Sequence, residues 1–138
     1  MENCIFCKII AGEIPCYKVF ENEKIFAFLD INPASEGHTL IVPKKHFADI
    51  FEIESDYLQE LILVAKDLAI KMKHDFKAEG VNIFQSNGVA GEQTVFHFHL
   101  HLIPRKNNDG INFSDVLVRN IKKIENKRFE EIKNIFAK

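Results

Sequence analysis

The hydrophobic and polar positions of the chain follow two different periods, which predict where strands and helices lie. Strict alternation in Val-Phe-His-Phe-His-Leu-His-Leu-Ile-Pro-Arg, residues 95–105, predicts a strand with histidines on one face and apolar side chains on the other. Runs rich in β-branched and aromatic residues, bounded by turn residues, predict four further strands at 17–21, 24–30, 38–43 and 81–85.

Helical spacing predicts one long helix between the third and fourth strands. Ser55 is the expected N-cap, the helix should run to about Lys77, and Gly80 should stop it. The apolar positions that repeat at helical spacing are Leu58, Leu61, Ile62, Ala65, Leu68, Ala69 and Met72. A short helix or turn is expected at residues 4–11, and residues 113–138 look helical. Together these elements predict an α+β fold with a mostly antiparallel sheet.

Composition narrows the classes of protein to which the chain can belong. Its 138 residues suit one compact domain, and a hydrophobic fraction of 46% with thirteen Phe can fill a core. A net charge of −2 gives no electrostatic footprint for nucleic acid, and no apolar run approaches the ~20 residues that span a bilayer. The first residues lack the basic and apolar regions of a signal peptide. We therefore expect a soluble cytoplasmic protein that binds neither nucleic acid nor a membrane.

The row of His97, His99 and His101 needs a chemical explanation, because a hydrophobic core does not need imidazoles. Imidazole is a common ligand of transition metals, and it is also suited to nucleophilic or acid–base work near neutral pH. A strand face that carries histidines by chance is the remaining alternative. The pattern alone does not choose between metal binding and catalysis.

The three cysteines add a second candidate site. An odd number of cysteines without a signal peptide argues against a disulfide framework. Cys4 and Cys7 form a Cys-x-x-Cys pair, which is often half of a structural zinc site. Buried free thiols and a redox pair are the alternatives, and Cys16 is expected to be a packing thiol.

The segment from His97 to Ile103 has the form His-φ-His-φ-His-φ-φ, where φ is apolar, and so resembles the signature of the histidine triad (HIT) family. Other parts of the chain are similar to landmarks of that family: the Cys-Ile-Phe-Cys start with the following Glu-Ile-Pro, and residues 27–33, 37–46 and 87–95. The resemblance covers residues 3–105, so residues 106–138 are expected to be a helical extension that packs on this domain or on a dimer partner.

The resemblance implies a fold and an activity. It implies a HIT-like fold whose five-stranded sheet continues across a homodimer, and the bacterial Hint-like branch is the better match. Members of that branch bind purine nucleotides and cleave nucleoside phosphoramidates or acyl adenylates at the α-phosphate, releasing AMP without an organic cofactor. The alternatives are a Fhit-like hydrolase of dinucleoside polyphosphates, a nucleotide-sensing or scaffold dimer, and a metal-binding protein that uses the triad itself as ligands.

The resemblance also implies roles for individual residues. His99 matches the nucleophile that forms a nucleotidyl-histidine, and His101 matches the histidine beside the phosphate. His38 matches a histidine close to the triad, and with His97 it completes the expected catalytic set. Asp30 matches the ligand of both ribose hydroxyls. The remaining expected nucleotide-binding residues are Phe6, Phe28, Ile31 and Asn32 around the nucleoside, and Ser86, Asn87, Gln93 and Thr94 in the phosphate loop.

Two positions depart from the family pattern, and four residues match a metal site. Ser86 stands where an amide is usual, and Glu92 stands where glycine is usual. A carboxylate close to a bound phosphate would repel it, so we expect the Glu92 side chain to point to solvent. Two thiolates and two imidazoles at positions matching a structural zinc site make a closed tetrahedral set. The implied Zn²⁺ ligands are Cys4, Cys7, His46 and His97. The alternative is free thiols with His97 hydrogen-bonded to the backbone.

Overall fold

The computed structural model of the chain describes residues 3–138 and shows an α+β fold around one five-stranded sheet. The sheet order is β1-β2-β3-β5-β4, and all neighbouring strands are antiparallel. The elements in chain order are α1 (Ile5–Ile10), β1 (Lys18–Glu21), β2 (Ile25–Leu29), β3 (Thr39–Pro43), α2 (Ser55–Asp75), β4 (Gly80–Phe84), β5 (Leu100–Arg105), α3 (Phe113–Arg119) and α4 (Asn126–Phe136). The α+β fold with its antiparallel sheet is thus confirmed.

The centre of the sheet is buried on both faces. Alternate residues of β2 point to opposite sides, so Ile25 and Ala27 pack towards α2 whereas Phe26 and Phe28 pack towards α1. The long helix covers the first face through the buried residues Leu61, Val64, Ala65, Leu68 and Met72. The short helix α1 covers the second face with Phe6 and Ile9. This second face also carries the histidines.

The triad strand begins later than the alternation predicted. Strand β5 starts at Leu100, not at Val95, and residues 95–99 have no regular structure. One neighbour, β4, ends at Phe84 opposite His101, and the last residue of β3 that pairs with β5 is Ile41, opposite Leu100. Before that point the N–H of Phe98 donates to the carbonyl oxygen of Phe47, so the chain does not pair with β3. The alternation of side chains nevertheless persists, because Phe98 lies in the core on the α2 side.

The ends of α2 also differ from the prediction. Glu54 is the N-cap, without a side-chain cap bond, and Ser55 is the first helical residue. The Glu54 carboxylate instead pairs with Lys45. The helix ends at Asp75, and Lys77 takes a left-handed φ of 55°. Gly80 therefore does not stop the helix but begins β4.

The C-terminal segment folds as two helices, and neither contains a buried residue. It contacts the sheet through Phe113, whose ring lies 4.5 Å from that of Phe84 and under the guanidinium of Arg105 at 5.2 Å. Val116, Leu117 and other apolar side chains of the segment are exposed. Among residues 3–138, no helix is both long enough and apolar enough to span a membrane.

Candidate active site and metal centre

The side chain of His99 is held in one orientation on the buried face of the sheet. It is only 6% exposed, and its Nδ1 lies 2.8 Å from the carbonyl oxygen of His97. A carbonyl can only accept, so Nδ1 carries the proton and Nε2 keeps a free lone pair. Burial lowers the pKa of His99, which keeps the ring neutral at neutral pH. The arrangement is that of an imidazole prepared to act as a nucleophile.

His101 presents the opposite tautomer, which is fixed by a chain of hydrogen bonds. The backbone N–H of Ala34 donates to Nδ1 of His38 over 3.0 Å, so the proton of His38 is on Nε2. That Nε2–H donates to Nδ1 of His101 over 3.0 Å, which leaves His101 with a proton on its own Nε2. Burial, followed by the neighbouring imidazoles of His99 and His38, lowers the pKa of His101 to about 4. His101 is therefore a neutral hydrogen-bond donor beside His99.

Asp30 stands at the end of this chain and has two roles. Its Oδ1 accepts the backbone N–H of Asn32 over 2.8 Å, which stabilises the turn after β2. Its Oδ2 lies 3.7 Å from Nε2 of His38. The carboxylate thus keeps acceptor capacity beyond the turn, which a ligand with hydroxyl groups could use.

A cavity of about 360 Å³ opens in front of these groups. Phe6 and Phe28 meet edge to face in it at 5.5 Å, and the ring of Phe6 lies 5.1 Å from that of His99. The residues expected at a nucleotide site that line the cavity are Phe6, Phe28, Asp30, Ile31, Asn32, Thr94, His99 and His101. Apolar walls with a few polar groups at one end are typical of small-ligand sites.

Several lining residues were not anticipated from the sequence. They are Ile5, Ile9, Ile14, Pro15, Cys16, Leu29, Leu40 and Val95. The spacing of Ile5 and Ile9, four residues apart on α1, could have indicated that one side of this helix faces the cavity. Leu40 and Cys16 are brought to it only by strand pairing and by the path of the loop, and no local pattern marks them.

Three of the four residues expected in the phosphate loop shape the loop and do not line the cavity. Gln93 is buried, accepts the N–H of Gly88 over 2.8 Å and donates to the carbonyl oxygen of Ala48. The Oδ1 of Asn87 accepts the N–H of Ile50 over 2.7 Å. Ser86 is half-buried and lies outside the cavity wall. Thr94 is the loop residue that reaches the cavity.

The tip of this loop requires an unusual backbone at two successive positions. A Cβ on Gly91 would collide with the carbonyl oxygen of Asn87. Glu92 has a left-handed φ of 63°, a conformation that costs a residue with a side chain about 1–2 kcal/mol. The Glu92 side chain is exposed, in line with the expectation that its carboxylate points to solvent.

The four residues predicted as zinc ligands converge on the other side of His97. Their ligand atoms all lie within 4.8 Å of one another. Nδ1 of His97 lies 3.4 Å from the Sγ of Cys4 and 3.5 Å from that of Cys7, and Nδ1 of His46 lies 3.4 Å from the Sγ of Cys7. Zinc–ligand bond lengths in a tetrahedron place sulfur and nitrogen roughly 3.6 Å apart. The spacing and the donor set therefore fit a tetrahedral metal ion.

The protonation of these groups also fits a metal centre. His97 is fully buried, and its Nε2–H donates to the carbonyl oxygen of Pro43 over 2.8 Å, so the Nδ1 lone pair faces the two sulfurs. The backbone hydrogen bond of His97 that the alternative from the sequence expected is therefore present, but it uses Nε2 and leaves Nδ1 available to a metal. Burial raises the pKa of the Cys7 thiol to about 11, so metal binding must displace its proton.

Asp30, His38 and His101 form a second cluster of potential ligands, but its hydrogen bonds do not suit a metal. The Ala34 N–H occupies the lone pair on Nδ1 of His38, so the nitrogen that faces the cluster carries a proton. The triad histidines also do not share one ligand site, because His97 turns Nδ1 to the cysteines whereas His99 and His101 face the cavity.

Comparisons with known proteins give one consistent family. The model of the HIT domain matches residues 11–108. Adenosine 5'-monophosphoramidase HNT1 of Candida albicans is 47% identical over 108 residues, which are 75% of this chain and 71% of that protein. The crystal structure of a HIT family protein from Bacillus anthracis has a TM-score of 0.82 and 42% identity, covering 99% of this chain and 94% of that one. A Zn-bound histidine triad family protein from Mycobacterium smegmatis has a TM-score of 0.78 and 36% identity, covering 81% of each chain.

Proposed function

The chain belongs to the histidine triad (HIT) family, and from that premise we propose that it hydrolyses purine nucleoside phosphoramidates or acyl adenylates through a nucleotidyl-histidine at His99. A relative named adenosine 5'-monophosphoramidase supports AMP as the product. The observation that carries the proposal is the 2.8 Å bond from Nδ1 of His99 to the His97 carbonyl oxygen. It leaves a neutral nucleophile on a cavity large enough for a nucleoside.

The reaction divides into two displacements at phosphorus. Nε2 of His99 attacks the α-phosphorus, a P–N bond to the imidazole forms, and the bond to the leaving group breaks. The Nε2–H of His101 donates to a phosphate oxygen or to the departing group and stabilises the charge that develops there. The departing group takes up one proton as it leaves. Water then attacks the same phosphorus and gives up one proton, the bond to His99 breaks, and AMP is released, so that protons balance over the two steps. Each step exchanges one bond at phosphorus for another, so neither requires an oxidant or a reductant.

The cavity supplies the contacts for the nucleoside. Phe6 and Phe28 offer two aromatic faces to a purine. The carboxylate of Asp30, at the cavity edge, can accept hydrogen bonds from the ribose hydroxyls. Thr94 lines the same cavity as His99 and can donate its hydroxyl proton to a phosphate oxygen. With these contacts, the proposed complex has the α-phosphorus in front of the triad.

We also infer that Cys4, Cys7, His46 and His97 hold a structural Zn²⁺. The spacing of their ligand atoms supports this inference, as does the Zn-bound relative from Mycobacterium smegmatis. A closed set of four protein ligands leaves no position for substrate. Its contribution would be to fix the N-terminal segment and His97, and no step of the reaction passes through it.

Turnover and binding measured side by side test the proposal. With adenosine 5'-phosphoramidate as substrate, His99→Ala should lose roughly 10⁴-fold or more of kcat, while its Kd for AMP stays close to that of the wild type. The matched control is His74→Ala, which removes an exposed imidazole near the end of α2 and should change neither quantity. Wild type that binds AMP without turnover would favour the nucleotide-sensing or scaffold alternative.

A further inference from the structure

The first helix contacts both the metal centre and the nucleotide cavity. Cys4 caps its N-terminus, where the Sγ accepts the N–H of Cys7 over 3.4 Å, and Cys7 itself lies within the helix. Phe6, between the two cysteines, lines the cavity and meets the rings of His99 and Phe28 edge to face. One helical turn therefore carries two of the four metal ligands and one wall of the nucleotide site.

This helix is too short to hold its position alone. It has six residues, and isolated helices below about 12–15 residues are marginal in water. It is attached through the buried side chains of Phe6 and Ile9 and the partly buried Ile10. A second attachment is made by the contacts of Cys4 and Cys7 with the imidazoles of His97 and His46. Thiols make only weak hydrogen bonds, so without a metal the second attachment is weak.

His97 gives a second connection between the two sites. Its Nδ1 faces the cysteines at 3.4 and 3.5 Å, and its carbonyl oxygen accepts the proton that fixes the tautomer of His99. The residues around it, 95–99, are not held in a strand. The buried ring of His97 packs against the rings of Phe6 and His46 and donates to Pro43. A metal on Nδ1 would add the bond that fixes the remaining side of the ring.

We propose that the Cys4/Cys7/His46/His97 centre is a positioning device for nucleotide binding, which acts on the cavity through Phe6 and on His99 through the His97 carbonyl. The inference rests on the proposed nucleotide site. Metal bound to the four residues fixes α1 against the sheet and keeps the Phe6 ring on the cavity wall. Metal loss frees the start of α1, and affinity for AMP decreases although no metal ligand touches the nucleotide.

Calorimetric titration with AMP tests this coupling without any turnover. The Zn²⁺-loaded protein should bind AMP roughly tenfold more tightly than the chelated protein, which is the size of effect typical of groups that support a site indirectly. Adding Zn²⁺ back should restore the affinity. Cys7→Ser, which removes one ligand, should bind AMP as weakly as the chelated wild type, with or without added Zn²⁺.

Two variants distinguish positioning from a general loss of stability. Phe6→Leu keeps all four ligands but removes the ring, so chelation should weaken its AMP binding clearly less than that of the wild type. Leu68→Ala opens a cavity in the core on the α2 side, away from both sites, and should lower stability while leaving the effect of Zn²⁺ on AMP affinity unchanged. The connection through the His97 carbonyl can be followed by the nitrogen chemical shifts of the His99 ring. The tautomer with the proton on Nδ1 should become less populated on chelation.

Different results would contradict the coupling of the two sites and the proposed function. Wild type that binds AMP equally well with and without Zn²⁺ would overturn the coupling and leave the proposed function intact. Wild type that does not bind AMP at all would overturn both. Loss of the α2 helix signal in circular dichroism on chelation would also overturn the inference, because the centre would then hold the whole fold and not the cavity wall.

Discussion

Three backbone groups determine which nitrogen of each buried histidine carries the proton. The Pro43 carbonyl fixes His97, the His97 carbonyl fixes His99, and the Ala34 N–H fixes His38 and through it His101. As a result, His97 offers a lone pair to a metal, His99 offers a lone pair to phosphorus, and His101 offers a proton to a phosphate oxygen. Sequence spacing could not predict these tautomers, because they depend on hydrogen-bond partners up to 63 residues away along the chain, as for His38 and His101.

The buried imidazoles make stability dependent on pH. The folded protein holds the pKa of His101 near 4, whereas an unfolded histidine takes up its proton near 6.5. The unfolded state therefore binds more protons between these values, and the free energy of unfolding should fall as the pH is lowered through that window. Urea unfolding of the chelated protein at about pH 7.5 and about pH 5 measures this effect.

The contribution of His101 can be isolated. His101→Gln cannot take up the proton, so its free energy of unfolding should fall less steeply towards acid than that of the wild type. The difference in slope against pH should correspond to at most one proton taken up on unfolding. His74→Gln, at an exposed position, should behave as the wild type does. Identical slopes for His101→Gln and the wild type would show that His101 titrates alike in the folded and unfolded states.

Glu92 gives a prediction that separates backbone strain from charge. Glycine at this position removes the cost of the left-handed φ, so Glu92→Gly should stabilise the protein by about 1 kcal/mol in urea unfolding. Glu92→Ala removes the same carboxylate but keeps the strained φ, and it should not stabilise the protein. An equal gain from both variants would assign the effect to charge.

At the scale of elements, alternation predicted the faces of the strands better than their ends. Phe98, Leu100 and Leu102 lie in the α2 core as the pattern of residues 95–105 indicated, but β5 begins only at Leu100. The start of a strand depends on where its neighbours pair with it, and here the last pairs are Ile41 with Leu100 and Phe84 with His101. Ser55 is not the cap, because Glu54 is the last extended residue and Ser55 already has helical backbone.

The predicted metal ligands come from three separate parts of the chain, and metal analysis of variants tests whether these four residues are the ligand set. One zinc ion per chain is expected, retained in Cys16→Ser and in His99→Ala but lost in Cys7→Ser. Cys16 is a suitable control because it is the third free cysteine and lies outside the ligand set. Metal analysis of the purified variants gives the stoichiometry. More than one tightly bound ion per chain, or loss of the ion in His99→Ala, would point to the triad itself as a ligand set.

At the scale of the whole molecule, the C-terminal segment leaves apolar surface for a partner. Leu117, Ile121 and Phe136 are 74–86% exposed, and Ile83 and Phe84 are part-exposed on β4, an edge of the sheet. Residues 113–138 carry seven basic and four acidic side chains, whereas the chain as a whole is negative. Contact of this segment with the body of a second copy would therefore bring net positive and net negative parts of the two chains together. The division into a domain of residues 3–105 and an extension of residues 106–138 stays a prediction.

We expect a homodimer whose interface includes this segment. Leu117→Glu should shift the protein towards monomer in sedimentation experiments over a range of concentrations, because burying a carboxylate at an apolar contact is costly. Lys122→Glu, an exposed position after α3, changes charge without removing an apolar side chain and should have a much smaller effect. A wild type that remains monomeric at high concentration would contradict the expectation.

The central claim, that His99 becomes covalently nucleotidylated, is tested most directly by intact mass spectrometry. Wild type, His101→Ala and His99→Ala are mixed with adenosine 5'-phosphoramidate and quenched rapidly without acid, and the intact mass of each protein is measured. A transient adduct of one adenylyl group is expected, and it should be absent from His99→Ala. Turnover with no adduct at any time, or an adduct that persists in His99→Ala, would contradict it.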